Sequence, residues 1–398
     1  LSPAGTLKNM RYAFAYGADA VYAGQPRYSL RVRNNEFNHE NLQLGINEAH
    51  ALGKKFYVVV NIAPHNAKLK TFIRDLKPVV EMGPDALIMS DPGLIMLVRE
   101  HFPEMPIHLS VQANAVNWAT VKFWQQMGLT RVILSRELSL EEIEEIRNQV
   151  PDMEIEIFVH GALCMAVSGK CYLSLHETGC SANRGACRQI CRRKYTLTDV
   201  ETGAQLAAEG QYLLSPKDLC TIDFLDYFIE SGVRVLKIEG RARGAEYVKR
   251  VVECYDRALR AMEDGDYTPE LAAALKERLA TVFNRGFWEG YYAGRPIVEH
   301  SRHHGSAATK RKVYVGKVTN FFKKISVAEV LVEAAPLYEG DELLWVGETT
   351  GVVEQHGDEI FVDEHPVQTV LQGTTCSVKT VQLIRRGDKL YKLVDTIG

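Results

Sequence analysis

No run of apolar residues approaches the roughly 18 that a membrane-spanning helix needs, which argues against a helical membrane protein. Neither sign of charge is in excess: 47 Lys and Arg stand against 50 Asp and Glu, a net of −3. A nucleic-acid partner would therefore require a local basic patch. Cysteine is scarce, 8 in 398 residues, which excludes a secreted disulfide scaffold. Missing too are H-E-x-x-H, G-x-S-x-G and G-x-x-x-x-G-K-[ST], and Gly240-x₃-Gly244 is not a dinucleotide fingerprint. Hydrophobic residues at 46% and charged residues at 24% are ordinary globular usage, so wholesale disorder is excluded. The chain opens at Leu1 without Met or a signal-like segment, and "LSPAG" reads as the second half of a strand. A few preceding residues and a cytoplasmic location are the expectation.

What is present is a regular alternation. "LSPAG", "DAVYAG" (Asp19–Gly24), "KFYVVVN" (Lys55–Asn61), "ALIMSD" (Ala86–Asp91), "IHLSVQ" (Ile107–Gln112), "RVILS" (Arg131–Ser135), "IEIFVHG" (Ile155–Gly161) and "VLKIEG" (Val235–Gly240) read as buried strands. Helical patterns lie between them, one capped by Ser139 with Glu142 as capping-box partner. Eight such units predict an α/β protein, a (β/α)₈ TIM-like barrel over 1–300, with a doubly wound sheet as the alternative. A cysteine-rich insertion, 161–212, follows strand seven. After it a helix is expected, with Ser215 as cap, Pro216 at its first position and Gly232 at its end. Residues 301–312 read as a basic linker. Residues 313–398 alternate like strands and predict a small all-β barrel domain, whose "GKV … L.EGDEL" arrangement resembles the second-domain β-barrel of translation factors.

The cysteines are concentrated. Cys164, Cys171, Cys180, Cys187 and Cys191 fall within 28 residues, and Cys220 follows. Four thiolates without a paired His suit zinc or an iron–sulfur cluster. The wide spacing, lacking two Cys-x₂-Cys hooks, favours iron–sulfur. Cys164, Cys171, Cys187 and Cys220 make one ligand set, with Cys191 as the alternate fourth. Cys254 and Cys376 read as small core residues. Barrel active sites form at the C-terminal strand ends. There the sequence places Ser2, Tyr22, Asn61, Asp91, Gln112, Asn114, Arg136, Glu137, His160, Lys237, Glu239 and Arg241. The loop after strand two adds Arg27, Tyr28, Arg31, Arg33 and Asn34.

The string "EIFVHGALCMAVSGKCYLS" (Glu156–Ser174) resembles the signature of the collagenase-like peptidase family. "DAVYAG", "SLR", "LLSPKDLC" (Leu213–Cys220), "KIEGR" (Lys237–Arg241) and "FNRGF" (Phe283–Phe287) match it as well. "GACRQICRRKY" (Gly185–Tyr195) and the C-terminal β-domain point to the branch that hydroxylates uridine in tRNA. The resemblance implies a 4Fe–4S cluster on four Cys. It implies prephenate as co-substrate and O₂-independent formation of 5-hydroxyuridine at the wobble position. Relatives that hydroxylate rRNA cytidine or act in the ubiquinone pathway, and members named as peptidases, set the alternatives.

Three expectations follow. A small dianionic metabolite should meet Arg31, Arg33, Arg136 and Arg241, since guanidinium forks suit carboxylates. His160 and Glu239, with Arg241, should serve as catalytic or orienting groups. The tRNA anticodon loop should be held by two basic regions, Arg184–Lys194 and the segment with Arg302, Lys310, Arg311, Lys312, Lys317, Lys323 and Lys324. A plain peptidase, or a cluster-bearing subunit without catalysis of its own, are the competing readings.

Overall fold

The structure is a computed structural model and describes residues 1–30, 36–206, 212–294 and 298–396. The chain divides into two compact units, Leu1–Ala307 and Ala308–Gly398.

In the first unit, β1 (Ser2–Pro3), β2 (Ala20–Gly24), β3 (Lys55–Val60), β4 (Ala86–Met89), β5 (Ile107–Leu109), β6 (Arg131–Ile133) and β7 (Glu154–Gly161) pair in that order, all parallel. The strand Val235–Ile238 continues the parallel sheet beyond β7. At the other edge, the nitrogen of Leu1 donates to the Leu236 carbonyl (2.8 Å), and Ile238 N–H donates to the Leu1 carbonyl (3.0 Å). The strands are mostly apolar and buried on both faces, as a parallel sheet covered by helices requires, and β2 is buried along its whole length. Helices start where the sequence supplies caps. Thr6, Asn38, Asp91, Asn117 and Ser139 each accept a backbone N–H from the first turn, and the Ser139–Glu142 capping box is complete.

The segment after β7 departs from expectation. Ser215 and Pro216 do not open a helix; Asp218–Cys220 is a strand, antiparallel to β7 and parallel to Phe287–Trp288. The helix begins only at Leu225 and ends at Glu230. Tertiary partners override the local capping signal: Lys217 and Asp218 N–H groups bond the Glu299 and Gly286 carbonyls (2.8 and 2.9 Å), and Asp218 pairs with Arg285 (3.1 Å).

A second correction concerns His160. Strict alternation would put Glu156, Phe158 and His160 on one face of β7. The pairing with Val235–Ile238 instead skips Val159, a β-bulge between Phe158 and His160. The freed Val159 carbonyl accepts from the Tyr255 hydroxyl (2.8 Å) and from Thr221 Oγ1 (3.1 Å). His160 turns to pack among Tyr247, Tyr255 and Phe287, 2% exposed. Burial lowers its pKa to about 3. His108 on β5 packs edge-on against Tyr57 (4.8 Å), and burial, helped by Arg131 and Lys237, lowers its pKa to about 2.

The second unit is an antiparallel all-β sheet around Trp345, Val315, Val330, Leu343 and Leu390. The expected linker over 301–312 is corrected at its end. Lys310, Arg311 and Lys312 open the long strand Lys310–Phe322, opposite Asp395, Val394 and Leu393 of Lys389–Asp395. The ladder is drawn out this far because Thr396 N–H bonds the Thr309 carbonyl (2.8 Å) and Lys310 pairs with Glu342.

Two outcomes are expected. A fragment spanning residues 308–398 should fold alone, and its single tryptophan, the wholly buried Trp345, should report one cooperative transition with blue-shifted emission. Emission typical of exposed indole in that fragment would contradict an independent core. Second, below the unfolded histidine pKa of about 6.5, the unfolded chain binds protons that buried His160 and His108 refuse. Stability should therefore fall as the pH is lowered from there, each histidine adding about 1.4 kcal/mol per pH unit. His160→Phe keeps a ring in the aromatic cage and should remove one such increment from the slope between about pH 6 and 4 in denaturant unfolding. An unchanged slope would show that His160 titrates normally.

Candidate functional site

A cavity of about 380 Å³ opens at the C-terminal ends of the parallel strands. Tyr22 from β2, Asn61 after β3, Gln112 after β5, Arg136 after β6 and Phe158 of β7 line it, with Lys237, Glu239 and Arg241 from the Val235–Ile238 strand and the turn beyond. These are strand-end residues, as the sequence predicts. Asp91 is an exception: its carboxylate caps the helix Pro92–His101 by accepting Leu94 N–H (2.9 Å). Arg31 and Arg33 lie outside the described residues.

The floor is a buried ion network. Glu156, wholly buried, bonds Lys237 Nζ (2.6 Å) and Arg131 (3.4 Å), and Arg131 also takes Glu154 (2.7 Å). Burial pulls the Lys237 pKa below its ordinary value, and Glu156 opposes that pull. The ammonium sits over the Tyr22 ring, 4.3 Å from its centroid. The Tyr22 hydroxyl lies 2.8 Å from the Ile238 carbonyl and 3.2 Å from Glu239 Oε2. Burial first, and Glu239 second, raise its pKa well above the usual range, so it stays protonated and can donate. Glu239 is held close to β7 because Gly161, at φ +109°, has no side chain: a Cβ there would meet the Glu239 carbonyl at 2.4 Å. Arg241 Nη1 donates to Ser29 Oγ (2.8 Å). The Arg136 guanidinium stacks on Phe158, 3.7 Å from the ring centroid, and donates to the Ala162 carbonyl (3.3 Å).

Cys164, Cys171, Cys187 and Cys191 line the same cavity. The Cys191 thiol has its pKa raised by burial, with smaller contributions from the other three thiols, which places all four near one another. Leu173 N–H donates to Cys171 Sγ (3.4 Å), and Ser174 Oγ lies 4.0 Å from Cys187 Sγ, contacts that suit thiolates. Among the described residues, no three His, Cys, Asp or Glu side chains gather as the ligands of a single metal ion would.

Cys220 is the correction. It is 2% exposed on the strand Asp218–Cys220, opposite His160 in the register, and does not line the cavity. It follows the bulged His160 toward Tyr255, and burial pushes its pKa up to about 12. Cys191, the expected alternate, lines the cavity with Cys164, Cys171 and Cys187. Cys254 and Cys376 are buried core residues, as expected.

The cavity is strongly cationic. Among the described residues, Arg136, Arg192, Lys237, Arg241, Arg243 and Arg285 line it against one carboxylate, Glu239. Arg192 braces the insertion, donating to Ser215 Oγ (3.1 Å) and to the Leu163 carbonyl. The sequence reading missed Arg243 and Arg285 as site residues. The signals were there: Arg243 shares the turn of Arg241, and Arg285 sits inside "FNRGF". Lys310, Arg311 and Lys312 belong to the second unit, where Lys310 pairs with Glu342 and Lys312 lies over Tyr391 (5.3 Å).

Comparison with known proteins agrees with the motifs. tRNA hydroxylation protein P of Escherichia coli (strain K12) is 54% identical over 410 aligned residues, covering 92% of this chain and 88% of that protein. The Haemophilus influenzae protein of the same name is 51% identical over 381 residues, 84% of this chain and 82% of that one. A protein named collagenase from Porphyromonas gingivalis is 40% identical over 403 residues, 98% of this chain and 97% of that one. With the family model described as Peptidase family U32 matching residues 5–302, from the first helix to past the last strand of the parallel unit, the chain belongs to peptidase family U32.

Proposed function

We propose that this chain hydroxylates a uridine of tRNA at the mouth of a closed eight-stranded barrel, beside a 4Fe–4S cluster on Cys164, Cys171, Cys187 and Cys191. The observation that carries the reading is the meeting of four thiols with a cationic cavity at the strand ends. The names of the relatives most similar along the chain support tRNA as substrate. The two hydrogen bonds between Leu1 and the Val235–Ile238 strand support closure. Four cysteines on one cavity match the number of thiolates that a 4Fe–4S cluster takes. When bound, the cluster supplies one-electron redox chemistry and a Lewis-acidic iron.

The chain's own residues bind and orient. Arg136, fixed on Phe158, and Arg241, fixed by Ser29, offer N–H forks to the carboxylates of prephenate. Glu239 accepts from the protonated Tyr22 hydroxyl and stands at the cavity to hold or move a proton at Oε2. The reading takes prephenate as the co-substrate of an O₂-independent hydroxylation, with 5-hydroxyuridine at the wobble position as product. Bases of the anticodon loop already stand outside a continuous stack, so reaching a recessed pocket costs them little. On the second unit, exposed Arg311 flanked by Lys310 and Lys312 offers charge to RNA phosphates. No helix among the described residues is long and apolar enough to cross a membrane, and the proposed substrate places the protein in the cytoplasm.

The test pairs Cys191→Ser with Cys220→Ala. Anaerobically reconstituted wild type and Cys220→Ala should each hold about four irons with broad visible absorbance, and Cys191→Ser should lose both. Nucleoside analysis of tRNA from a deletion strain should show loss of hydroxyuridine, restored by wild type and by Cys220→Ala but not by Cys191→Ser. Full iron in Cys191→Ser would remove the ligand assignment. Unchanged tRNA nucleosides with altered rRNA cytidine would move the substrate, and gelatin cleavage that persists in Cys191→Ser would favour a peptidase.

A further inference from the structure

Two arginines on the cavity wall are left without a role by that reading. Arg243 sits in the turn before the helix Ala245–Asp264, and Arg285 between the helix Pro269–Ala280 and the strand Phe287–Trp288. One ring holds both. The Arg243 guanidinium lies 3.5 Å from the Phe283 centroid and the Arg285 guanidinium 5.1 Å from it. Arg285 spends one donor on Asp218 (3.1 Å). Among the described residues, the Arg243 guanidinium has no hydrogen-bond or ion-pair partner.

The charges around them do not balance. Burial is the first cause lowering the pKa of both guanidiniums; on Arg243 the neighbouring Arg285 adds to it, whereas on Arg285 the paired Asp218 and Cys191 oppose it and Arg192 adds to it. Asp218 and Glu239 act on Arg243 in the opposite sense without bonding it. A guanidinium stacked on an aromatic face keeps all five N–H donors in its plane, free for a planar fork-to-fork contact. Arg243 is a largely desolvated cation without a bonded counter-charge, beside Arg285 whose charge Asp218 already pairs, and an oxyanion bound between the two guanidiniums offsets the cost of leaving Arg243 unpaired. The pair is anchored differently from Arg136 and Arg241, which are held on Phe158 and by Ser29. The cavity thus carries two separately anchored pairs of arginines.

We infer that Arg243 and Arg285 form an oxyanion subsite that takes one carboxylate of a small dicarboxylate, the other carboxylate going to Arg136 and Arg241. The inference rests on the metabolite reading above and names the residues for its second charge. A carboxylate is favoured over an RNA phosphodiester by depth: Arg285 is 8% exposed, within reach of a molecule that enters the cavity rather than of a backbone crossing its lip.

The test compares two acids on the full, cluster-reconstituted chain by titration calorimetry. Prephenate has two carboxylates; phenylpyruvate keeps the keto-acid arm and lacks the ring carboxylate. Wild type should prefer prephenate by about ten- to a hundredfold, the worth of a charge-assisted contact. Arg243→Ala should close that gap, and Arg243→Lys, which keeps the charge but not the fork, should close it in part, with visible absorbance unchanged in both. A gap as wide in Arg243→Ala as in wild type overturns the subsite while leaving the metabolite reading intact. If wild type binds neither acid, the metabolite reading fails on its own. Stabilisation by inorganic phosphate that Arg243→Ala abolishes would then uphold an oxyanion site, and phosphate acting equally on both would remove it. If Arg243→Ala keeps the gap but weakens an anticodon stem-loop, the arginines serve the RNA backbone and the carboxylate assignment is overturned.

Discussion

Glu156 holds the interior of the first unit together. It is a wholly buried carboxylate on β7 with a cation on either side, Arg131 from the neighbouring β6 and Lys237 from the strand on the other flank. A lone charge at this depth would be prohibitive, and the network stands because each member is bonded by another. The cavity floor is a consequence. Lys237 is held upright between Glu156 and the Tyr22 ring, Tyr22 hands its hydroxyl to the Glu239 turn, and Arg241 follows in the same turn.

β7 also decides which residues see the cavity. Up to Phe158 it follows the alternation of a regular strand, and the inward residues meet the ion network and Arg136. The bulge at Val159 then sends His160, and with it Cys220 on the adjacent antiparallel strand, into the layer beneath the helix Ala245–Asp264. Gly161 ends the strand close against Glu239, and the chain leaves for the insertion that carries the four cysteines. One local irregularity thus separates a neutral, structural histidine and thiol from the polar groups that line the opening. The same opening carries two sets of arginines, each preset on an aromatic ring before any ligand arrives, so little ordering cost is left for binding.

The eight strands and the helices between them are legible in the sequence because each rests on local signals: short apolar runs, caps such as Ser139 with Glu142, and turns of ordinary length. Membership of the strand-end set is legible for Tyr22, Arg136, Lys237, Glu239 and Arg241 for the same reason, since each is a polar residue at or just past the end of a short buried run. The clustering of Cys164, Cys171, Cys187 and Cys191 is a matter of chain proximity and shows in the spacing.

Other features were decided only in three dimensions. A bulge depends on the partner strand's register, so nothing in "IFVHG" distinguishes His160 from an inward residue. Ser215 and Pro216 carry a good local start signal for a helix, but Lys217 and Asp218 find backbone and ionic partners some 70 to 80 residues away and form a strand instead. Cys220 and Cys191 are equivalent as letters; Cys220 is buried because its strand pairs with β7 at the bulged His160, whereas Cys191 lies on a short helical turn of the insertion at the cavity. Arg243 and Arg285 are 42 residues apart in the chain and share one aromatic ring only because the last helices of the unit return to the C-terminal ends of the parallel strands. Local propensity and composition act over a few residues, whereas pairing register and charge compensation are properties of contacts that exist only once the chain has folded.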